Sequence, residues 1–298
     1  MNAHSLRRID WTNIHLKMNK DPWDTPGWMA LSKESKLVRH LLGAGVTALG
    51  RANYADQAGE YYTAFFGLSV GIERLAKLIL VADYSLSNRG KLPPQSEVKK
   101  YGHDIKKLLE SIGIVAERNS IHLQYSQPTS AISTKIVECL CAFADAGRGR
   151  YANFAALGDP NIDGQFEPIR KWWAEVAELI LQEHYYGKFA QAKVEKNAEI
   201  VDSMIGSFSS VLHFAEAGGM IDDVRSASVR TGQTKYVQKY GRYHALTVIR
   251  WMSEMFCELC KKASYEFNVV EFFGHDELFW TYTVDDSFLK NRKIWPLN

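Results

Sequence analysis

The sequence has almost no net charge, few cysteines and no glycine-rich phosphate-binding motif. The formal net charge is +2 at pH 7 over 298 residues, so overall charge does not indicate a nucleic-acid partner. Neither the Gly-x-x-x-x-Gly-Lys-Ser/Thr loop of P-loop enzymes nor the Gly-x-Gly-x-x-Gly dinucleotide turn occurs. Any contact with nucleic acid must therefore depend on the local distribution of charge.

No segment has the pattern of a secretory signal or a membrane span. Residues 1–20 are polar and charged rather than apolar. The most apolar helical stretch is interrupted in its middle by Glu73, Arg74 and Lys77, whose burial in lipid would be costly. We therefore expect a cytoplasmic protein with no membrane partner.

The few cysteines indicate buried thiols rather than a metal site. They form two closely spaced pairs, Cys139 with Cys141 and Cys257 with Cys260. Both pairs lie in apolar, helix-like patterns without the glycine-containing knuckle of structural zinc sites. Free thiols in a reducing compartment fit this pattern better than a shared zinc site. We expect no metal and no cofactor.

Apolar residues make up 46% of the chain and recur mostly at helical spacing, which predicts an all-α fold. Phe267 to Phe273 is the single candidate strand, and it fits a loop equally well. A break between Gly158 and Gly164 suggests two packed helical units, and one continuous bundle is the alternative. The predicted organisation is an N-terminal arm and helix over 1–54, a helical domain over 55–158 and a C-terminal helical domain over 165–298.

The most informative stretch runs from Glu60 to Ile112. Its first part predicts a long helix on which Glu73 and Lys77 lie one turn apart. Its second part begins at Gly102-His103-Asp104 and continues as a short amphipathic helix. Glu73 and Lys77 are expected to form an ion pair, and burial would require a further partner, for which His103 and Arg150 are the candidates.

Gly71, Glu73 and Lys77, followed by Gly102-His103-Asp104, resemble the motifs of the HEPN superfamily over about residues 55 to 155. The resemblance implies a HEPN-like helical bundle, here with an additional C-terminal helical unit. It also implies dimerisation and, as in many members, metal-independent RNA cleavage in bacterial defence or toxin-antitoxin systems.

The resemblance further implies a catalytic arginine followed, after roughly four to six residues, by a histidine. Arginine stabilises charge on the phosphate while histidine transfers a proton. The helical unit lacks that spacing, and its nearest approach is Arg118 and His122, with three residues between them. On a helix the two would share a face, whereas in a loop the spacing fixes no geometry. Arg118, His122 and Arg150 are the predicted catalytic residues, and surface or capping roles are the alternative.

Two further segments supply candidate RNA contacts. The first is Gly147 to Phe154, whose side chains either hold a phosphate and a base or cap and pack a helix end. The second is Val224 to Ser253, which has six positive charges and no acidic residue, and which fits RNA, a protein partner or a solvated face. The predicted substrate-binding residues are Arg148, Tyr151, Asn153, His103, Arg230, Lys235, Lys239, Arg242 and Tyr243.

The sequence therefore supports two functions. The first is an RNA-binding protein, a metal-independent endoribonuclease of a bacterial defence or toxin-antitoxin system, acting as a homodimer with an antitoxin or defence-complex protein as partner. The second is a non-catalytic helical interaction subunit or adaptor of a larger defence complex. A metal-dependent hydrolase using His103-Asp104 with His40 and Asp145 or Asp159 is a third reading, for which no second diagnostic spacing exists.

Overall fold

The computed structural model of the protein describes residues 21–145 and 167–295, and both ranges are mostly helical. This confirms the predicted all-α class. The α-helices are α1 Pro26–Leu49, α2 Gly59–Ser87, α3 Gln95–Lys100, α4 Ile105–Gly113, α5 Val115–Arg118, α6 Ala131–Ala144, α7 Pro168–Trp172, α8 Glu178–His184, α9 Phe189–Ile205, α10 Val224–Lys261 and α11 Asp286–Asn291. Trp173–Ala177 is a π-helical turn that joins α7 to α8, and Lys262–Glu266 is another that follows α10.

Polar side chains cap the helices at positions that the sequence makes recognisable. Thr25 caps α1, accepting a hydrogen bond from the Trp28 amide at 3.2 Å, and Pro26 occupies the first turn. The apolar periodicity predicts a start near Ser32, but the helix begins earlier, at Pro26. Asp104, Ser130 and Asp223 cap α4, α6 and α10 in the same way.

Helices α1 and α2 pack closely because glycines lie at their crossing. A Cβ added at Gly67 would lie 2.8 Å from the Leu41 carbonyl oxygen and 3.0 Å from the Gly45 Cα. Helix α4 also packs on α2 and buries Ile105 and Ile112. The two motif-bearing helices thus pack against each other, while their membership of a HEPN-type bundle stays a prediction.

The long helix α10 lies at the centre of the packing and contacts α1, α2, α6, α8, α9 and α11. Phe65 of α2 lies 5.5 Å from Trp172 of α7, measured between ring centroids. The buried apolar residues before 145 and after 167 form one cluster. The predicted boundary at 158–165 lies outside the described residues, and the core is continuous between the two sides of it.

Residues 267–273 contain a 3₁₀ turn, Val270–Phe272, in place of the candidate strand. The strands in the described ranges are instead β1 His213–Phe214 and β2 Met220–Ile221, which pair antiparallel as a small hairpin. Gly218 and Gly219 turn this hairpin with φ of +88° and +96°, values that glycine adopts without strain. None of the described helices combines the length and apolar character needed to cross a membrane.

Candidate functional site

Glu73, Lys77 and His103 form one contact network between α2 and the start of α4. The Glu73 carboxylate accepts a hydrogen bond from Lys77 Nζ at 2.7 Å, and the same oxygen lies 2.9 Å from His103 Nδ1. The side chains of Glu73 and Lys77 are 15% and 19% exposed, whereas that of His103 is 87% exposed. The Glu73–Lys77 pair is thus partly buried, and His103, one of the two candidates for a further partner, contacts it.

This geometry prepares His103 for proton transfer. A hydrogen bond to a carboxylate places the proton of a neutral imidazole on Nδ1, which leaves the lone pair on Nε2. Because the ring is largely exposed, Nε2 is accessible to a substrate. A carboxylate that fixes the tautomer of a histidine is the arrangement used by many acid–base enzymes.

The backbone around His103 forms a tight turn, and two of the lysines near it are ion-paired, Lys100 with Glu97 and Lys107 with Asp104. Gly102 adopts φ of +69°, a left-handed conformation that favours glycine. The Asp104 carboxylate accepts a hydrogen bond from the Lys107 amide at 3.2 Å and so caps α4. Four lysines lie within four residues of His103 in the sequence, a local charge that the sequence analysis passed over: Lys99, Lys100, Lys106 and Lys107.

Arg118 and His122 do not lie on a common helical face. Helix α5 ends at Arg118, Ser120 has φ of +53°, and His122 is exposed in the non-helical segment that follows. Arg118 Nη1 instead donates to Asp83 Oδ2 at 2.6 Å, and Asn119 donates to the other carboxylate oxygen at 2.7 Å. Arg118 therefore neutralises a buried carboxylate of α2, while catalysis by this pair stays a prediction.

We expect Arg118→Ala to lower the free energy of unfolding by about 1–3 kcal/mol, because it leaves the buried Asp83 carboxylate without its cation. We expect a loss at the lower end of this range, because the Arg118 side chain is itself 49% exposed. Urea unfolding followed by circular dichroism measures the change. His122→Ala is the matched control and should be neutral. A stable Arg118→Ala variant without ribonuclease activity would instead give Arg118 a catalytic role.

The arginines of the acid-free segment, which lies on α10, are largely engaged within the protein. Arg230 Nε lies 2.9 Å from a carboxylate oxygen of the buried Glu216, and its guanidinium stacks 3.7 Å over the Trp173 ring. Arg250 Nη2 lies 2.8 Å from Asp286. The acidic partners come from other parts of the chain, so a segment without acids does not form a uniformly basic face.

The other candidates on α10 divide into buried and accessible side chains. Arg242 is 4% exposed and donates to the Lys290 carbonyl at 3.4 Å. The Tyr243 hydroxyl donates to Asp286 at 2.8 Å, and burial is the main cause that raises the pKa of Tyr243 to about 12. Lys235 and Lys239 form no ion pair within the described ranges. RNA binding by α10 stays a prediction, and these two lysines are its accessible cations.

The remaining sequence candidates lie elsewhere or outside the described ranges. Arg148, Arg150, Tyr151 and Asn153 all fall outside them, as does Asp159. The residues 67–71 match the Gly-x-Ser-x-Gly pattern of hydrolase nucleophile turns, a match that the sequence analysis missed. They lie inside α2, however, where Ser69 is 1% exposed and donates to the Phe66 carbonyl, so they form no nucleophile turn.

The cysteines are free thiols, as expected. Cys139, Cys257 and Cys260 are buried, and burial raises the pKa of Cys139 to about 12. Within the part of the chain that the structure describes, no cysteine belongs to a group of side chains arranged to hold a metal ion. The thiols therefore act as apolar core atoms.

A second surface feature is an apolar groove of about 560 Å³ between α9 and α10. Its lining includes Val194, Val201 and Ile205, together with Lys193 and Lys235 and no acidic residue. Beside it lie large exposed apolar side chains of the α9 end and the hairpin, namely Met204, Phe208, Leu212, Phe214 and Met220. Helical spacing predicts a buried stripe over 201–212, but α9 ends at Ile205 and this stripe is mostly solvent-facing.

Comparison of the chain with protein-family models, with curated proteins and with solved structures finds no match. The function of the protein must therefore be inferred from its residues and their contacts. Two features remain as candidates: the Glu73–Lys77–His103 network with its lysines, and the apolar groove beside α9.

Proposed function

We propose that this protein is a HEPN-like, RNA-binding endoribonuclease that works without a metal ion, with its reacting group at His103. The observation that carries the proposal is the contact between His103 Nδ1 and Glu73, which orients an otherwise exposed imidazole. The resemblance of the same residues to HEPN motifs supports RNA as the substrate. A bacterial defence or toxin-antitoxin setting belongs to the same proposal.

In this reaction His103 Nε2 accepts the proton of an RNA 2′-hydroxyl. The 2′-oxygen attacks the adjacent phosphorus, and the bond from phosphorus to the 5′-oxygen breaks. The leaving oxygen takes a proton from the imidazolium of a second copy in a homodimer. The products are a 2′,3′-cyclic phosphate and a 5′-hydroxyl, so no oxidant, metal or other co-reactant is required.

The positive charge around His103 supplies phosphate binding. Lys77 contacts the same carboxylate as His103, and Lys99 and Lys106 lie four and three positions from His103 in the chain. Ammonium groups in these positions stabilise the charge that develops on the phosphate oxygens. RNA affinity should consequently fall as salt concentration rises.

The decisive experiment combines a mass measurement in solution with incubation of the purified protein and total RNA, with and without chelator. A dimer that cleaves RNA equally well in chelator, leaving cyclic-phosphate ends, supports the proposal. A wild-type protein that neither binds nor cleaves RNA overturns it.

The groove between α9 and α10 favours a second candidate, an interaction subunit that holds a segment of a partner protein. Its apolar floor suits an apolar stripe, and Lys193 and Lys235 suit acidic residues beside that stripe. The occupant is therefore an acidic, amphipathic segment, such as one supplied by an antitoxin or another defence-complex protein. The exposed Phe208 and Leu212 extend the apolar surface that it would cover.

Peptide binding measured by fluorescence anisotropy tests this candidate. We expect a leucine-striped helical peptide with glutamate flanks to bind at least tenfold more tightly than the same peptide with lysine flanks. Lys193→Glu combined with Lys235→Glu should reverse that preference, whereas Lys33→Glu on α1 should not. Equal binding of both peptides would exclude an acidic occupant, and loss of a dimer in Phe208→Glu would identify a second copy instead.

A further inference from the structure

Glu183, His184 and His244 bring three metal-ligating side chains together where the end of α8 meets α10. One ligand atom from each lies within 4.8 Å of those of the other two. The sequence patterns that suggest metal ligands are the cysteine pairs and His103-Asp104. Neither of them contains Glu183, His184 or His244. Two residues are neighbours in the chain, but the third is 60 positions away and is placed by folding.

The position of the His244 ring suits a metal ligand. It is 8% exposed, and its Nε2 has no hydrogen-bond partner among the described residues. Its other nitrogen, Nδ1, lies 3.4 Å from Ser133 Oγ and 3.5 Å from Ser130 Oγ. The serine oxygens are able to accept a hydrogen bond from Nδ1–H, and in that tautomer the lone pair lies on Nε2, as in metal-binding histidines that are oriented by outer partners.

His184 is also fixed in place and oriented. Its ring stacks on Tyr240 with centroids 3.5 Å apart and planes 10° apart. Its Nε2 is buried and lies 3.2 Å from a carboxylate oxygen of Glu183.

We propose that Glu183, His184 and His244 bind a zinc-like divalent transition-metal ion that links α8 to α10. Two imidazoles and one carboxylate suit zinc, whereas magnesium and calcium prefer oxygen ligands. Ligands of one ion at about 2.1 Å lie at most about 4.2 Å apart, so the site needs only a small closing movement.

The surrounding charge limits the affinity of this site. Glu183 and Asp286 are the carboxylates that act on these histidines, while Lys188, Lys239 and Lys290 add positive charge. An ion bound here joins two helices in the folded state, and its ligands separate on unfolding. Metal binding should therefore raise the melting temperature.

The test titrates the full chain, freed of metal, with Zn²⁺ against a chromophoric chelator, and with Co²⁺ as a visible probe. We expect one ion bound at micromolar or lower Kd and a rise in melting temperature. His244→Asn and His184→Gln should each weaken this binding at least tenfold, while His40→Gln, which changes an exposed histidine of α1, should not. Unchanged binding in both site variants, or no binding at all, overturns the proposal.

Glu183→Gln, an exposed change, keeps the test valid where His244→Asn destabilises the fold, and it should also weaken binding.

This inference goes beyond the proposed ribonuclease function and is independent of it. Cleavage at His103 requires no metal, so His184→Gln should retain RNA cleavage while losing the ion. Loss of both in one variant would point to a folding defect, which circular dichroism detects.

Discussion

His103→Asn is expected to lower the rate of RNA cleavage by about 10²- to 10⁴-fold while leaving the fold intact. Removing a positioned general acid–base group typically has an effect of this size. The side chain is 87% exposed, so little packing is lost. The rate of cyclic-phosphate formation from a labelled oligonucleotide measures the effect, with the melting temperature as a check on folding.

Variants of the two neighbouring residues separate orientation from phosphate binding. Glu73→Gln keeps a similar shape but removes the carboxylate that orients the His103 ring, so it should lower kcat more than it raises KM. Lys77→Ala should weaken RNA binding, and Lys77→Arg should restore part of it.

His122→Asn is the matched histidine control and should cleave at the rate of the wild type. The opposite result, an inactive His122→Asn and an active His103→Asn, would move the chemistry to the segment after α5. Catalysis by Arg118 and His122, as the sequence predicts, would then be the better account. Full activity in both variants would exclude either histidine as the proton-transfer group.

Trp172→Ala is expected to lower the free energy of unfolding by about 3–5 kcal/mol, the range found for large aromatic side chains in a core. Trp172 is 0% exposed. Its ring lies 5.5 Å from that of Phe65, and a Cβ added at Gly241 would lie 3.0 Å from it. It therefore connects α2 with α10.

The shape of the unfolding curve is as informative as its midpoint. Because one buried cluster spans both described ranges, we expect a single transition that shifts as a whole in Trp172→Ala. Two transitions, of which only one shifts, would support the predicted division into separate domains at 158–165. Trp280→Ala is the matched control, since this tryptophan is 48% exposed and should cost much less.

Local signals in the sequence were sufficient to predict the helices and the Glu73–Lys77 pair of the candidate site. Periodic apolar residues and capping side chains act over a single turn, so α2, α4 and α6 could be located from the sequence. The same locality explains the Glu73–Lys77 pair, whose members lie one turn apart. The contact with His103 was a candidate because a buried ion pair needs a further partner.

The sequence could not show where the positive charges of α10 would face. Their partners Glu216 and Asp286 lie outside the acid-free segment, and folding brings them to Arg230 and Arg250. A count of charges along a segment assumes that every side chain lies in solvent. Side chains that folding buries or pairs do not meet this assumption. The apolar stripe after Val201 is mostly exposed, although its periodicity predicts burial. Periodicity shows that a segment has an apolar face, but not whether another helix covers that face.

By itself the sequence determined the helical class and the Glu73–Lys77 pair, because each depends on residues within a few positions of one another. Only the tertiary structure decided that Arg118 neutralises Asp83, that the arginines of α10 are paired, and that His244 meets Glu183 and His184. These contacts join residues 14 to 61 positions apart. Such pairings follow from how whole helix faces pack, which no short stretch of sequence encodes.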